Sequence, residues 1–142
     1  MALTTVFSPR KPAEPWTLAA TVGPDVPVIS ISDQPGITST GTGDFVKSTV
    51  LGPYTLSGIP AGSVGYAAKE AGIYVDGTFL LDVTGGLVTT PQNTSVYAVV
   101  AGGVVTSLTL TVGTNKLFGK VHYSKDLVRV AGKLPVQIGA NL

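Results

Sequence analysis

The sequence has few residues that could carry out catalysis. It contains no cysteine, one histidine and eight carboxylates among its 142 residues. Without cysteine the chain can form neither a disulfide framework nor a thiolate metal site, and a lone histidine cannot build a zinc site. No G-x-S-x-G nucleophile motif accompanies His122, and the glycine-rich stretches do not match a phosphate-binding loop. We therefore predict a protein that is not an enzyme, with no catalytic residues, no metal and no cofactor.

Charge is also scarce. Charged residues make up 12% of the chain, against ~25% in typical soluble domains. Nine Lys and Arg against eight Asp and Glu give a formal net charge of +1, which lacks the basic surface that nucleic-acid binding requires. We expect no direct nucleic-acid partner. A surface with so few charges tends to associate, so we expect part of it to be covered by another subunit or a partner.

Long hydrophobic runs are missing as well. The longest candidate, VYAVVAGGVV, is interrupted by Gly102 and Gly103 and is much shorter than the ~20 apolar residues of a membrane helix. The N-terminus has neither the basic start nor the apolar stretch of a secretory signal. We expect a soluble, unprocessed chain with no membrane partner.

Proline, in contrast, is abundant near the N-terminus, where six of the ten prolines lie within the first 35 residues. Each proline fixes its own φ and disfavours helix at the preceding residue. We predict an extended N-terminal arm over residues 1–16, followed by a single β-domain over residues 17–142. The alternative is a solvated tail. Aromatic, cationic and stiff residues can anchor an interface, and the candidate partner-binding residues of the arm are Phe7, Pro9, Arg10, Lys11, Pro12 and Trp16.

The rest of the chain consists of short alternating segments between turn signals. In SLTLTV, residues 107–112, apolar and hydroxyl side chains alternate with period two, which is typical of a half-buried antiparallel strand. The pairs Asp76-Gly77 and Gly85-Gly86 are typical tight-turn residues. VPVISIS, residues 26–32, is predicted to be a strand, with Pro27 at a sheet edge or at the strand's start. The predicted fold is all-β, an antiparallel barrel or sandwich.

Two segments are predicted not to be strands. GITSTGTGD, residues 36–44, is small, polar and rich in glycine, which favours an exposed loop. AAKEA, residues 67–71, has good helix propensity but little more than one turn, so it favours at most one short helix or a polar loop. The one cluster that an enzyme could use is Asp76, Asp82 and His122, provided that a hairpin brings the two carboxylates together.

A family resemblance begins near residue 44. GIYVDGTF at 72–79 is followed by VY at 96–97, LFGKV at 117–121 and VQI at 136–138. This succession resembles the short all-β head-decoration proteins of tailed bacteriophages. The resemblance implies a compact β-barrel or β-tulip, usually a homotrimer, that sits outside an icosahedral capsid and stabilises the head against the pressure of packaged DNA.

Two functions follow as expectations. The first is a capsid decoration protein, a structural virion protein assembled in the host cytoplasm, which binds the major capsid protein on the capsid exterior through its arm and one face of its barrel. The alternative is a receptor- or carbohydrate-binding module of a phage fibre or adhesin. In that alternative, residues 36–44 and 62–72 would form the ligand loops.

Overall fold

The computed structural model describes residues 4–7, 12–60, 66–125 and 127–139. Within these ranges the chain forms β-strands and no helix, so no helix there could cross a lipid bilayer. The strands are β1 (Thr4–Phe7), β2 (Glu14–Thr17), β3 (Pro27–Ile29), β4 (Pro35–Thr38), β5 (Val46–Leu51), β6 (Tyr54–Pro60), β7 (Glu70–Tyr74), β8 (Gly77–Asp82), β9 (Ser95–Ala101), β10 (Val104–Thr109), β11 (Lys116–Val121) and β12 (Lys133–Ile138).

The strands form two larger sheets and one separate hairpin. A six-stranded antiparallel sheet has the order β1-β8-β12-β11-β9-β10, and a four-stranded antiparallel sheet has the order β2-β7-β4-β3. The larger sheet curls into a half-barrel, and its two sides meet where Thr84, just after β8, forms a parallel bridge with Thr109 of β10. β5 and β6 pair only with each other. The all-β antiparallel prediction is confirmed.

Two apolar clusters hold the sheets together. The larger one fills the half-barrel around Phe79 and Phe118, which are both fully buried. Ile37 of β4 also belongs to this cluster, so it joins the four-stranded sheet to the half-barrel. The smaller cluster lies on the four-stranded sheet around Ala71 and Ile73, and Trp16 packs against it. The four-stranded sheet therefore contributes to both clusters, with Ile37 on the face toward the half-barrel and Ile73 on the opposite face.

The prediction of an exposed loop at residues 36–44 is wrong for residues 36–38 and for the burial of most of the stretch, whereas residues 39–44 do form a loop that ends at the exposed Asp44. The first part of this stretch belongs to β4, and Ile37, Thr38 and Thr42 are fully buried. The small residues of this stretch allow neighbouring strands and loops to pack closely. A Cβ added to Gly36 would lie 2.3 Å from Ile73 Cγ2, so only glycine fits there. Thr38 Oγ1 donates to the Gly23 carbonyl and accepts from the Val26 N–H, both at 2.8 Å.

Two other segments also differ from a simple local interpretation. Asp76-Gly77 is a turn, but β7 and β8 belong to different sheets, so the pair forms a corner between sheets and no hairpin. Gly77 has a φ of 113°, which favours glycine. The helix candidate 67–71 is a turn followed by β7. Its Lys69 has a φ of 61°, which is incompatible with a helix.

The described parts of the N-terminal segment pair with the body. β1 lies at an edge of the six-stranded sheet, antiparallel to β8, and β2 lies at an edge of the four-stranded sheet, antiparallel to β7. Pro15 lies opposite Gly72 in the second pairing, and an edge strand is where a sheet tolerates proline. Pro27 begins β3, the other edge strand of that sheet, as predicted.

Candidate functional site

The six candidate partner-binding residues lie on or between β1 and β2. Phe7 is the last residue of β1 and Trp16 lies within β2. Pro12 is exposed just before β2. Pro9, Arg10 and Lys11 lie outside the described residues. The connection between β1 and β2 therefore joins an edge of the half-barrel sheet to an edge of the four-stranded sheet, and it contains four of the six candidates.

Trp16 is the best defined of the candidates. Its ring is half-buried and packs over Gly36, where an added Cβ would lie 3.0 Å from Trp16 Cζ3. The indole Nε1 donates to Glu14 Oε2 at 3.3 Å. The ring thus covers the smaller apolar cluster and leaves part of its surface free. The sequence showed an aromatic residue suited to an interface, but its contact with Gly36 depends on the pairing of β2, β7 and β4.

The β5–β6 hairpin is a surface that sequence reasoning missed. Its described side chains are exposed on both faces. Tyr54 is 71% exposed and Val50 is 69% exposed, and Val46 and Leu56 are also exposed. In the sequence, residues 46–60 contain a single charge, at Lys47. The signal that could have revealed this surface is a charge-poor strand pair around the Gly52-Pro53 turn.

A network of hydrogen bonds anchors the base of this hairpin. Asp44 Oδ2 accepts from Thr21 Oγ1 at 2.5 Å and Asp44 Oδ1 accepts from the Lys69 N–H at 3.0 Å. The Lys69 N–H and then the hydroxyls of Thr21 and Thr42 stabilise the carboxylate and lower the pKa of Asp44 from 3.8 to about 2. Asp44 therefore ties together three segments at the point where the hairpin leaves the body.

An apolar cleft lies beside the base of the hairpin. It has a volume of about 270 Å³ and is lined by residues 18–23, 26–29 and 103–105, none of which is charged. The Phe45 ring, one residue before β5, packs against Gly23 in the cleft wall, where an added Cβ would lie 3.0 Å from Phe45 Cζ. The hairpin base and this apolar cleft are therefore neighbours on the surface.

A second cleft, of about 310 Å³, follows the open side of the half-barrel. It is lined by residues 80–82 of β8, 105–108 of β10, 25–27 and Lys133. Lys133 Nζ donates to Asp82 Oδ1 at 2.7 Å, which adds an ion pair to its wall. Among the described residues that line the two clefts there is no aromatic side chain. Neither cleft therefore offers the ring on which a sugar stacks.

His122 belongs to a clamp that holds residues 88–92 against residues 122–129. Gln92 Nε2 donates to His122 Nδ1 at 3.1 Å, and Gln92 Oε1 accepts from the Tyr123 N–H at 2.8 Å. The Tyr123 hydroxyl donates to the Thr90 carbonyl at 2.8 Å. The Arg129 guanidinium lies 3.9 Å from the centre of the Tyr123 ring. These contacts fix two loops against each other.

The cluster of Asp76, Asp82 and His122 is not formed. Asp76 precedes β8 and Asp82 ends it, so their backbones are about 20 Å apart at the rise of an extended strand. An acid/base pair for glycoside cleavage needs carboxylates within ~10 Å. In the part of the chain that the structure describes, no three His, Cys, Asp or Glu side chains group to hold a metal ion.

No protein-family model, no curated protein and no solved structure matches this chain. The described residues form a body of β-strands, with two edge strands that carry Phe7 and Trp16 and with apolar surfaces that have little charge. These features are suited to contacts with other protein surfaces.

Proposed function

We propose that this chain is a capsid decoration protein, a structural protein of the virion that binds the outer surface of the major capsid lattice of a tailed phage and stabilises the head. The supporting observation is the position of the N-terminal strands. β1 and β2 lie at the edges of two different sheets, and the connection between them contains Pro9, Arg10, Lys11 and Pro12.

The contact combines two kinds of recognition. Edge strands present unpaired N–H and C=O groups, which a strand of a capsid subunit can pair with. Phe7 and Trp16 supply aromatic anchors, and Arg10 and Lys11 supply the cationic groups of the arm. Each single contact is small, but an assembly of several copies of this chain engages several capsid subunits at once. Multivalent attachment of this kind raises the overall affinity without any single tight interface.

The test is co-sedimentation of the purified full-length chain with mature tailed-phage capsids that lack their decoration protein, compared with immature shells. Deleting residues 1–16 is unsuitable, because it would remove β1 and most of β2, one edge strand from each of the two larger sheets. The variant is instead Arg10→Glu, which reverses one charge of the connection. The matched control is Lys125→Glu, which makes the same charge change at an exposed position after β11.

We expect saturable binding of the wild-type chain to mature capsids, with about tenfold weaker binding of Arg10→Glu and unchanged binding of Lys125→Glu. Equal binding by all three proteins would show that the connection is not the contact. Absence of wild-type binding to both kinds of shell would refute the capsid role. The alternative of a receptor- or carbohydrate-binding module would then be tested with a glycan screen.

A further inference from the structure

Among the described strands, β5 and β6 pair with no strand of the two larger sheets. The described side chains of the β5–β6 hairpin are exposed on both faces. A two-stranded hairpin is marginally stable in water by itself, because it has no third layer to bury its apolar groups. Asp44 and Phe45 anchor its base, but they lie before the first hairpin residue. The hairpin therefore gains stability when something covers it.

The exposed residues of the hairpin indicate the chemistry of the surface that would pack against it. Tyr54 and Leu56 present aromatic and aliphatic surface on one face of the hairpin, and Val50 presents β-branched surface on the other. Natural proteins protect free strand edges with charges, and residues 46–60 carry only Lys47. A strongly charged partner surface would lose hydration against such a hairpin and could gain at most the one ion pair that Lys47 offers. The matching surface is therefore apolar and nearly uncharged.

The apolar cleft of the same chain has this chemistry. Its wall contains valine, leucine, isoleucine, alanine, proline, glycine and threonine and no charged residue. It also lies directly beside the hairpin base, because Phe45 packs against Gly23. When a projecting element and its acceptor are neighbours on one chain, each copy can both give and receive the contact. Repetition of one such contact produces a closed assembly if its rotation closes.

We propose that the β5–β6 hairpin is an intersubunit arm that packs into the apolar cleft of a second copy of this chain. This inference deepens the proposed function and rests on it in one respect, since both require copies of the chain to assemble. The inference identifies the two surfaces through which copies of the chain assemble. The contact removes Tyr54 and Leu56, which lie on one face of the hairpin, from water on one copy and the cleft wall around Ala20 and Val104 on the other.

The first test is sedimentation velocity of the full-length chain over a range of concentrations. The variant Tyr54→Lys places a charge on the hairpin, and the matched control Val128→Lys places the same charge at a position that is 81% exposed elsewhere on the body. We expect wild type and Val128→Lys to form the same oligomer. Tyr54→Lys should raise the dissociation constant about tenfold or more. Circular dichroism checks that all three proteins remain folded.

A second test locates the acceptor and uses the absence of cysteine from the chain. The single variants Tyr54→Cys and Ala20→Cys are mixed, diluted to exchange subunits, concentrated and treated with a short bis-maleimide. We expect a mixed crosslinked dimer in amounts well above those from either variant alone. The pair Val128→Cys and Ala20→Cys is the control and should give none. A mixed dimer with the control pair alone would place the contact elsewhere.

The inference is overturned if wild type is monomeric at tens of micromolar, or if Tyr54→Lys associates as tightly as wild type. These results are distinguishable from failure of the proposed function. Wild type that binds mature capsids while Tyr54→Lys associates normally would refute the intersubunit arm and leave the capsid role intact. Association that depends on the hairpin, with no binding to any capsid, would support the arm and refute the capsid role.

Discussion

Thr38 provides the sharpest test of the packing of residues 36–44. Its side chain is fully buried, and its hydroxyl donates to the Gly23 carbonyl and accepts from the Val26 N–H at 2.8 Å each. Thr38→Val keeps the shape and removes both hydrogen bonds. A backbone group left without its partner on folding costs about 1–3 kcal/mol when buried. Gly23 and Val26 are half-buried, so we expect a total loss of about 2 kcal/mol.

The assay is urea unfolding at one protein concentration, followed by the fluorescence of Trp16, the only tryptophan, and by circular dichroism. Thr38→Ser keeps the hydroxyl and loses only a methyl group, so it should cost about 1 kcal/mol. Thr106→Val removes an exposed hydroxyl that donates to the Val99 carbonyl, and it should change stability by less than about 0.5 kcal/mol. If Thr38→Val matched Thr106→Val, the burial of this segment would be refuted.

Two further predictions concern the same region. Gly36→Ala should destabilise the fold by about 1–3 kcal/mol, because the new Cβ would lie 2.3 Å from Ile73 Cγ2. Urea unfolding measures this loss, and an unchanged urea midpoint would contradict the packing at Gly36. Asp44 has its pKa lowered from 3.8 to about 2, so its contribution to stability is complete above pH ~4 and disappears as the pH falls through ~2. The wild-type urea midpoint should therefore fall with pH more steeply across this range than that of Asp44→Asn, and parallel curves would show that the Asp44 hydrogen bonds contribute little.

The sequence pattern was sufficient to predict strands that have one buried face and one exposed face. In β9, Val96 and Ala98 are buried and their neighbours are more exposed, which follows the period of a strand with one face in the core. Pro27 is at an edge because proline cannot donate to a second neighbour. In these cases the residue's own chemistry restricts its position, so no knowledge of distant neighbours is needed.

The sequence pattern was insufficient to predict burial where a residue packs against residues that are distant in the sequence. Gly36 lies against Ile73 and Trp16, and Thr38 bonds to Gly23 and Val26. Glycine and threonine are equally suited to an exposed loop and to a strand with crowded neighbours, so composition alone favoured the loop. Asp76-Gly77 is a turn in either arrangement, and only the pairing of β7 and β8 with other strands makes it a corner between sheets.

The features of the candidate site also fall into those that the sequence predicts and those that require the tertiary structure. The sequence by itself determined an all-β chain, poor in charge and in catalytic side chains, with anchoring residue types near its N-terminus, because composition and alternation act residue by residue. Tertiary structure alone decided that β1 and β2 lie at the edges of two sheets, that Asp76 and Asp82 are separated by the length of β8, and that a hairpin stands beside an uncharged cleft. These features depend on which strands pair across long stretches of chain, and that choice is made by the burial of all the apolar faces together.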